Sequence, residues 1–108
     1  PCLFEEHINA FPEVKFVLGH AGGRPGGFSE VVHLCKKYPN VFVDISGDYF
    51  HNGMIENLVE ALGVECILFA SDVDWIDPRC MIGMLLNSSV SDTELMMIFR
   101  SNAERVYQ

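Results

Sequence analysis

Three apolar segments of this chain end at His20, Ser46 and Asp72, each 26 residues after the last, and each runs into a helix-type pattern. Such a βα repeat makes neighbouring strands run parallel, because the helical return brings the chain back to the same starting edge. The C-terminal strand ends then share one edge, where open α/β sheets and barrels carry their chemistry. The segments are Val14 to His20, Val41 to Ser46 and Cys66 to Asp72. They are almost wholly apolar, as expected of strands covered by protein on both faces. Alternation predicts Phe16, Leu18 and His20 on one face of the first strand, and Cys66, Leu68, Ala70 and Asp72 on one face of the third.

The intervening segments carry helical stripes. Leu3, Phe4, His7, Ile8 and Phe11 recur at that spacing before Pro12, and Phe28, Val31, Val32 and Cys35 form a second stripe. Ile55, Leu58, Val59 and Leu62 form a third, which stops at Gly63. Asp77-Pro78 predicts a capped helix start ahead of Met81, Ile82, Leu85 and Leu86. Ser91 and Glu94 have capping-box spacing before Leu95, Ile98 and Phe99, and Asn102 is expected to cap a short last turn. Eight such units would total about 208 residues, near the lower size of a (β/α)8 barrel. Three cannot close one, and their outer strands would be left with unpaired edges. The expected architecture is therefore α/β, one partial barrel domain spanning residues 1–108.

Bulk properties narrow the partners. With 7 basic and 15 acidic residues the formal charge is -8, which disfavours nucleic acid and anionic lipid. No apolar run approaches the ~18–20 residues of a membrane span, and no signal peptide is visible. Cys2, Cys35, Cys66 and Cys80 include no CxxC pair, so buried free thiols in a reducing cytoplasm are the expectation. The chain opens on Pro1, which fits processing, a cloning boundary or a piece of something longer.

Chemistry concentrates on the shared edge. His20 meets a loop containing Gly22, Gly23, Gly26 and Gly27, and histidine both exchanges protons near neutrality and ligates metals. A hydrogen-bonded histidine closing a core strand is the equal alternative. Asp72 ends an apolar strand, where a carboxylate needs a cation, a hydrogen-bond network or water. A metal-ligand role fits it, and a turn cap is the competing role. Ser46, His51 and Asp74 lie at or beyond strand ends on this edge and are candidates for substrate contact. Arg24 can pair a substrate carboxylate through its planar fork. Asp44 interrupts an apolar strand and reads as structural hydrogen bonding, while His7 and His33 fall in helical patterns. The glycine-rich loop matches neither GxGxxG nor Walker A, and HExxH is absent. Neither an acidic cluster nor a phosphate loop supports a small open α/β signalling domain.

Four motifs, in order, carry a resemblance. Phe11-Pro-Glu-Val-Lys-Phe-Val-Leu-Gly-His-Ala-Gly-Gly23 resembles the sixth barrel strand of the amidohydrolase-related family, the branch of metal-dependent barrel enzymes that includes aminocarboxymuconate semialdehyde decarboxylase. Tyr38-Pro-Asn-Val-Phe-Val-Asp-Ile-Ser-Gly47 resembles its seventh, Ile67-Leu-Phe-Ala-Ser-Asp72 its eighth, and Asn102-Ala-Glu-Arg-Val-Tyr107 its closing segment. The resemblance implies a barrel portion from strands six to eight. Asp72 would bind a catalytic divalent metal, zinc first with manganese as the alternative, and His20 would orient or deprotonate the water on it. The implied reaction is hydrolysis of a small carboxylate-, amide- or ester-bearing substrate, or a related non-oxidative decarboxylation. The family's paired strand-one histidines and its strand-five histidine have no counterpart here, and Ala70 and Val73-Asp74 depart from its usual pattern. Two expectations follow: this chain works with a missing N-terminal half-barrel or as a homo-oligomer, or it is a catalytically inactive half-barrel that self-associates.

Overall fold

The computed structural model describes residues 1–23, 25–47 and 51–108. Among them, three strands form a parallel sheet: β1 (Phe16–Leu18), β2 (Val41–Asp44) and β3 (Ile67–Leu68), in that spatial order. Phe16 pairs with Val41, Leu18 with Val43, and Val43 in turn with Ile67. The helices are α1 (Glu5–Ala10), α2 (Pro25–Lys37), α3 (Met54–Leu62), α4 (Pro78–Leu86), α5 (Asp92–Met96) and α6 (Asn102–Tyr107). A π-helical turn, Met97–Ser101, joins α5 to α6. No helix among the described residues is long and apolar enough to cross a membrane.

Pleating divides the strand residues between two faces. Val43 and Ile67 enter the main core with Val31 of α2, Ile55 and Leu58 of α3, Leu85 of α4 and Ile98. Val41 packs with Ile8 of α1 and Leu34 of α2. Phe42, Leu68 and Val17 meet Val106 of α6 on the opposite face. The crossovers α2 and α3 thus lie on one side of the sheet and α6 reaches the other.

Several local expectations hold and others need correction. Asp77 caps α4 by accepting from the Arg79 N–H, and Ser91 with Glu94 forms a complete capping box on α5. Gly63 ends α3 with φ 76, a conformation that glycine adopts without strain. Asn102 is not a cap. It lies inside the helical run, buried, and its side-chain amide donates to the carbonyls of Val64 and Ile67, both at 2.8 Å. On α2 the fully buried positions are Val31 and Leu34, with Val32 only partly covered, because the packing partners are α1 and the sheet together. All four cysteines are free, but Cys80 is exposed.

The strands are shorter than their apolar runs. The first ends at Leu18 because His20 and Ala21 turn left-handed, with φ 61 and 48. The third stops at Leu68, where the next N–H, that of Phe69, turns away to the Ile98 carbonyl in the π-helical turn. Asp72, at φ 54, is left-handed too. Strand alternation therefore fails to place either His20 or Asp72. The backbone turns at both residues and carries them to the edge.

Candidate functional site

The C-terminal edge of the sheet brings together the ends of all three strands. His20 follows β1 and Asp72 follows β3, yet His20 Nε2 lies 2.7 Å from Asp72 Oδ2, across the end of β2. The imidazole is 50% exposed and the carboxylate 31%, so the pair is held by protein on one side and open on the other. With an ionised carboxylate, Nε2–H donates and Nδ1 is left to accept a proton.

Asp44, the last residue of the middle strand, organises the ground beneath. Its Oδ1 accepts from the backbone N–H of His20 at 3.1 Å, from the N–H of Ser46 at 3.0 Å and from the Ser46 hydroxyl at 2.5 Å. A left-handed turn at a non-glycine residue is strained by about 1–3 kcal/mol and persists only where its surroundings fix it. The carboxylate on the N–H of His20 supplies one such restraint. Gly47 supplies another, because a Cβ there would stand 2.6 Å from His20 Cδ2. The Asp72 carbonyl in turn accepts from the N–H groups of Trp75 and Ile76, closing a turn over the next residues.

The sequence candidates separate on this geometry. His20 and Asp72 are in contact. Ser46 is buried and engaged with Asp44, so its hydroxyl supports the edge rather than facing outward. Asp74 is exposed in the turn after Asp72, beside an exposed Trp75. His51 lies apart, on a small cleft of about 190 Å³ with Met84 and Asn87. Arg24 falls outside the described residues. His33 bonds Glu5 at 3.2 Å and belongs to the packing of α1 on α2. Gly47 was not a candidate at all. Its signal was the Asp44-Ile-Ser-Gly47 run, where a strand carboxylate is followed within three residues by a glycine.

A carboxylate beside an imidazole suits a divalent cation, but among the described residues no group of three His, Cys, Asp or Glu side chains could hold a metal. A catalytic zinc takes three protein ligands. The described residues of this chain do not complete such a site by themselves.

Comparison with solved structures finds the same fold in larger chains. A 2,6-dihydroxybenzoate decarboxylase from Rhizobium shares 24% identity with a TM-score of 0.68, over 97% of this chain and 36% of that one. An amidohydrolase 2 from Bifidobacterium longum subsp. infantis shares 21% with a TM-score of 0.75, over 94% and 43%. A dihydroxybenzoic acid decarboxylase from Polaromonas sp. JS666, with bound manganese and the inhibitor 2-nitroresorcinol, shares 23% with a TM-score of 0.70, over 93% and 35%. At such identities the likeness establishes the fold, and this chain spans less than half the length of each. Comparison with curated proteins finds no match. The family model described as amidohydrolase matches residues 1–108, the whole chain, which therefore belongs to the amidohydrolase family.

Proposed function

We propose that this chain is the C-terminal portion, strands six to eight, of a metal-dependent amidohydrolase-type barrel that acts on a small carboxylate-bearing substrate. The observation that carries the reading is the His20–Asp72 contact at the C-terminal edge of a parallel sheet. Residues 1–108 form a single partial domain in it. The short coverage of the larger neighbours supports a complementary half that supplies the remaining strands and metal ligands. Two of the similar structures are decarboxylases of dihydroxybenzoic acids, which favours non-oxidative decarboxylation over hydrolysis of an amide or ester as the first reaction to test.

In this reading Asp72, hydrogen-bonded to His20, would be one of the residues that hold the cation. Such an ion, manganese or zinc, would supply Lewis-acid activation and charge stabilisation. His20 does the proton work at its ring. Its Nε2–H is fixed on Asp72, and Nδ1 accepts or delivers a proton at the open side. Asp44 and Gly47 hold the ring there, one by bonding its backbone N–H and the other by leaving it room. Asp74, exposed in the turn after Asp72, contacts substrate.

One set of measurements tests this. Metal content is determined by elemental analysis in the complete barrel that contains this chain and in its Asp72→Ala variant, and carbon dioxide release is followed from a panel of hydroxybenzoates. About one tightly held ion per site, lost in the variant, with turnover of at least one panel acid, is the expected result. Absence of both metal and turnover overturns it. It leaves the inactive, self-associating half-barrel, which the missing third ligand among the described residues favours.

A further inference from the structure

We propose that a cleft at the end of the sheet opposite His20 and Asp72 binds a small organic carboxylate, with Lys15 and Arg105 holding its head and apolar walls covering its body. The cleft measures about 380 Å³ and is built around the start of β2, the middle strand. Lys15 enters it from the residue before β1, Glu65 from the approach to β3, and Arg105 from α6. Its walls therefore all come from within this unit.

Two cations of an acidic chain meet here without acidic partners. The formal charge is -8, and among the described residues Lys37, Arg79 and Arg100 each pair with a carboxylate, whereas Lys15 and Arg105 pair with none. Lys15 Nζ donates instead to the carbonyls of Arg105 and Val106, both at 2.9 Å, and a guanidinium N–H of Arg105 donates to the Glu65 carbonyl. Neutral acceptors fix the two side chains in place and leave both charges uncompensated. Donors remain as well, since an ammonium has three N–H groups and a guanidinium five. Glu65 is the one acid among the described residues that line the cleft. Its carboxylate lies toward Gly63, with Oε2 2.9 Å from where a Cβ would stand on that glycine.

The remaining walls select the body of the ligand. Tyr38, Val41, Phe42 and Leu62 line the cleft, and an apolar group laid against them gains by leaving water. The planar fork of a guanidinium matches a carboxylate, and the ammonium adds a second charge-assisted bond. An inorganic anion uses the cations alone, and a neutral aromatic molecule uses the walls alone. A carboxylate on an aromatic or branched body uses both. Nothing in this binding involves the opposite edge of the sheet.

Methyl NMR of the full-length protein that contains this chain, labelled at leucine and valine, tests the site with benzoate, benzamide and inorganic phosphate as probes. Benzoate is expected to give saturable shifts at Val41 and Leu62, with benzamide and phosphate about tenfold weaker or more, as loss of a charge-assisted contact or of the walls requires. Arg105→Gln and Lys15→Gln should each weaken benzoate by a similar factor, and Lys36→Gln, an exposed cation outside the cleft, should not. The comparison of probes needs no variant, so it decides the matter even where a substituted chain fails to fold. Shifts confined to Leu18, ahead of His20, equal binding of benzamide or phosphate, or unchanged affinity in both cleft variants overturns the proposal.

Discussion

Gly47 lies directly against the imidazole of His20: a Cβ at residue 47 would stand 2.6 Å from Cδ2 and 3.1 Å from Cγ. The backbone there also has φ 111, which side-chain-bearing residues rarely adopt. Gly47→Ala therefore pushes the ring off Asp72. A misplacement of about 1 Å at a reacting group costs on the order of 10²-fold in rate. Steady-state kinetics on the substrate found in the hydroxybenzoate panel should show that loss in kcat/KM, and an unchanged value would mean that the ring position does not matter to turnover.

His20→Gln keeps a polar side chain of similar reach but removes the proton acceptor. General acid–base groups contribute about 10²–10⁴-fold, and kcat is expected to fall within that range. Metal content should stay at the wild-type level. Loss of the ion in this variant would instead assign His20 as a ligand.

Asp44→Ala leaves the N–H groups of His20 and Ser46 without their acceptor. An orphaned buried donor costs about 1–3 kcal/mol; the Ser46 N–H is partly buried and carries such a cost, while the His20 N–H lies at an exposed contact that water can replace. Urea unfolding should report a midpoint shift larger than that of Ser46→Ala, which removes only the hydroxyl. Equal shifts would show that the backbone bonds carry little weight.

Acid should loosen the join between α1 and α2 before it unfolds the rest. Bonds from Lys37, then His33 and Tyr38, hold the Glu5 carboxyl at about 2, down from its ordinary 4.5. A lowered carboxylate pKa stabilises the fold above the unfolded value, and that stability is lost as pH falls through the folded one. The decline is expected between about pH 4.5 and 2. Glu5→Gln should flatten part of the stability–pH curve in that window. An identical curve for the variant would remove Glu5 from the account.

Asn102→Ala withdraws a buried amide that serves two carbonyls, those of Val64 and Ile67, just where β3 begins. Unsatisfied buried acceptors cost about 1–3 kcal/mol, and the cavity adds to this. Thermal unfolding of the variant measures it, and amide exchange at Ile67 and Leu68 should quicken more than at Val41. Uniform exchange would show that Asn102 does not act locally.

Much of this was legible along the chain because the signals were local. Asp77-Pro78, Ser91 with Glu94, and Gly63 each set a helix end through atoms a few residues apart, and each behaves as its spacing suggests. The βα order and the parallel sheet followed from the repeat interval. What was not legible depended on distant partners. Periodicity assumes that extended backbone continues, and at His20 and Asp72 it does not. Those left-handed turns are set by contacts 24 and 52 residues away, with Asp44 and between the pair itself. Asn102 looked like a cap for the same reason, since its real partners lie 35 and 38 residues back.

His20, Ala21 and Asp72 all carry side chains at positive φ along one edge, while Gly53 and Gly63 meet positive φ with glycine. Selection for heat resistance would favour glycine at such positions, because it relaxes the backbone. At 20 and 72 the same change deletes the imidazole and the carboxylate. Adaptation to a warmer environment is therefore steered toward other positions, such as the exposed Leu86 and Met96. The local discomfort of the edge is inherited along with its chemistry.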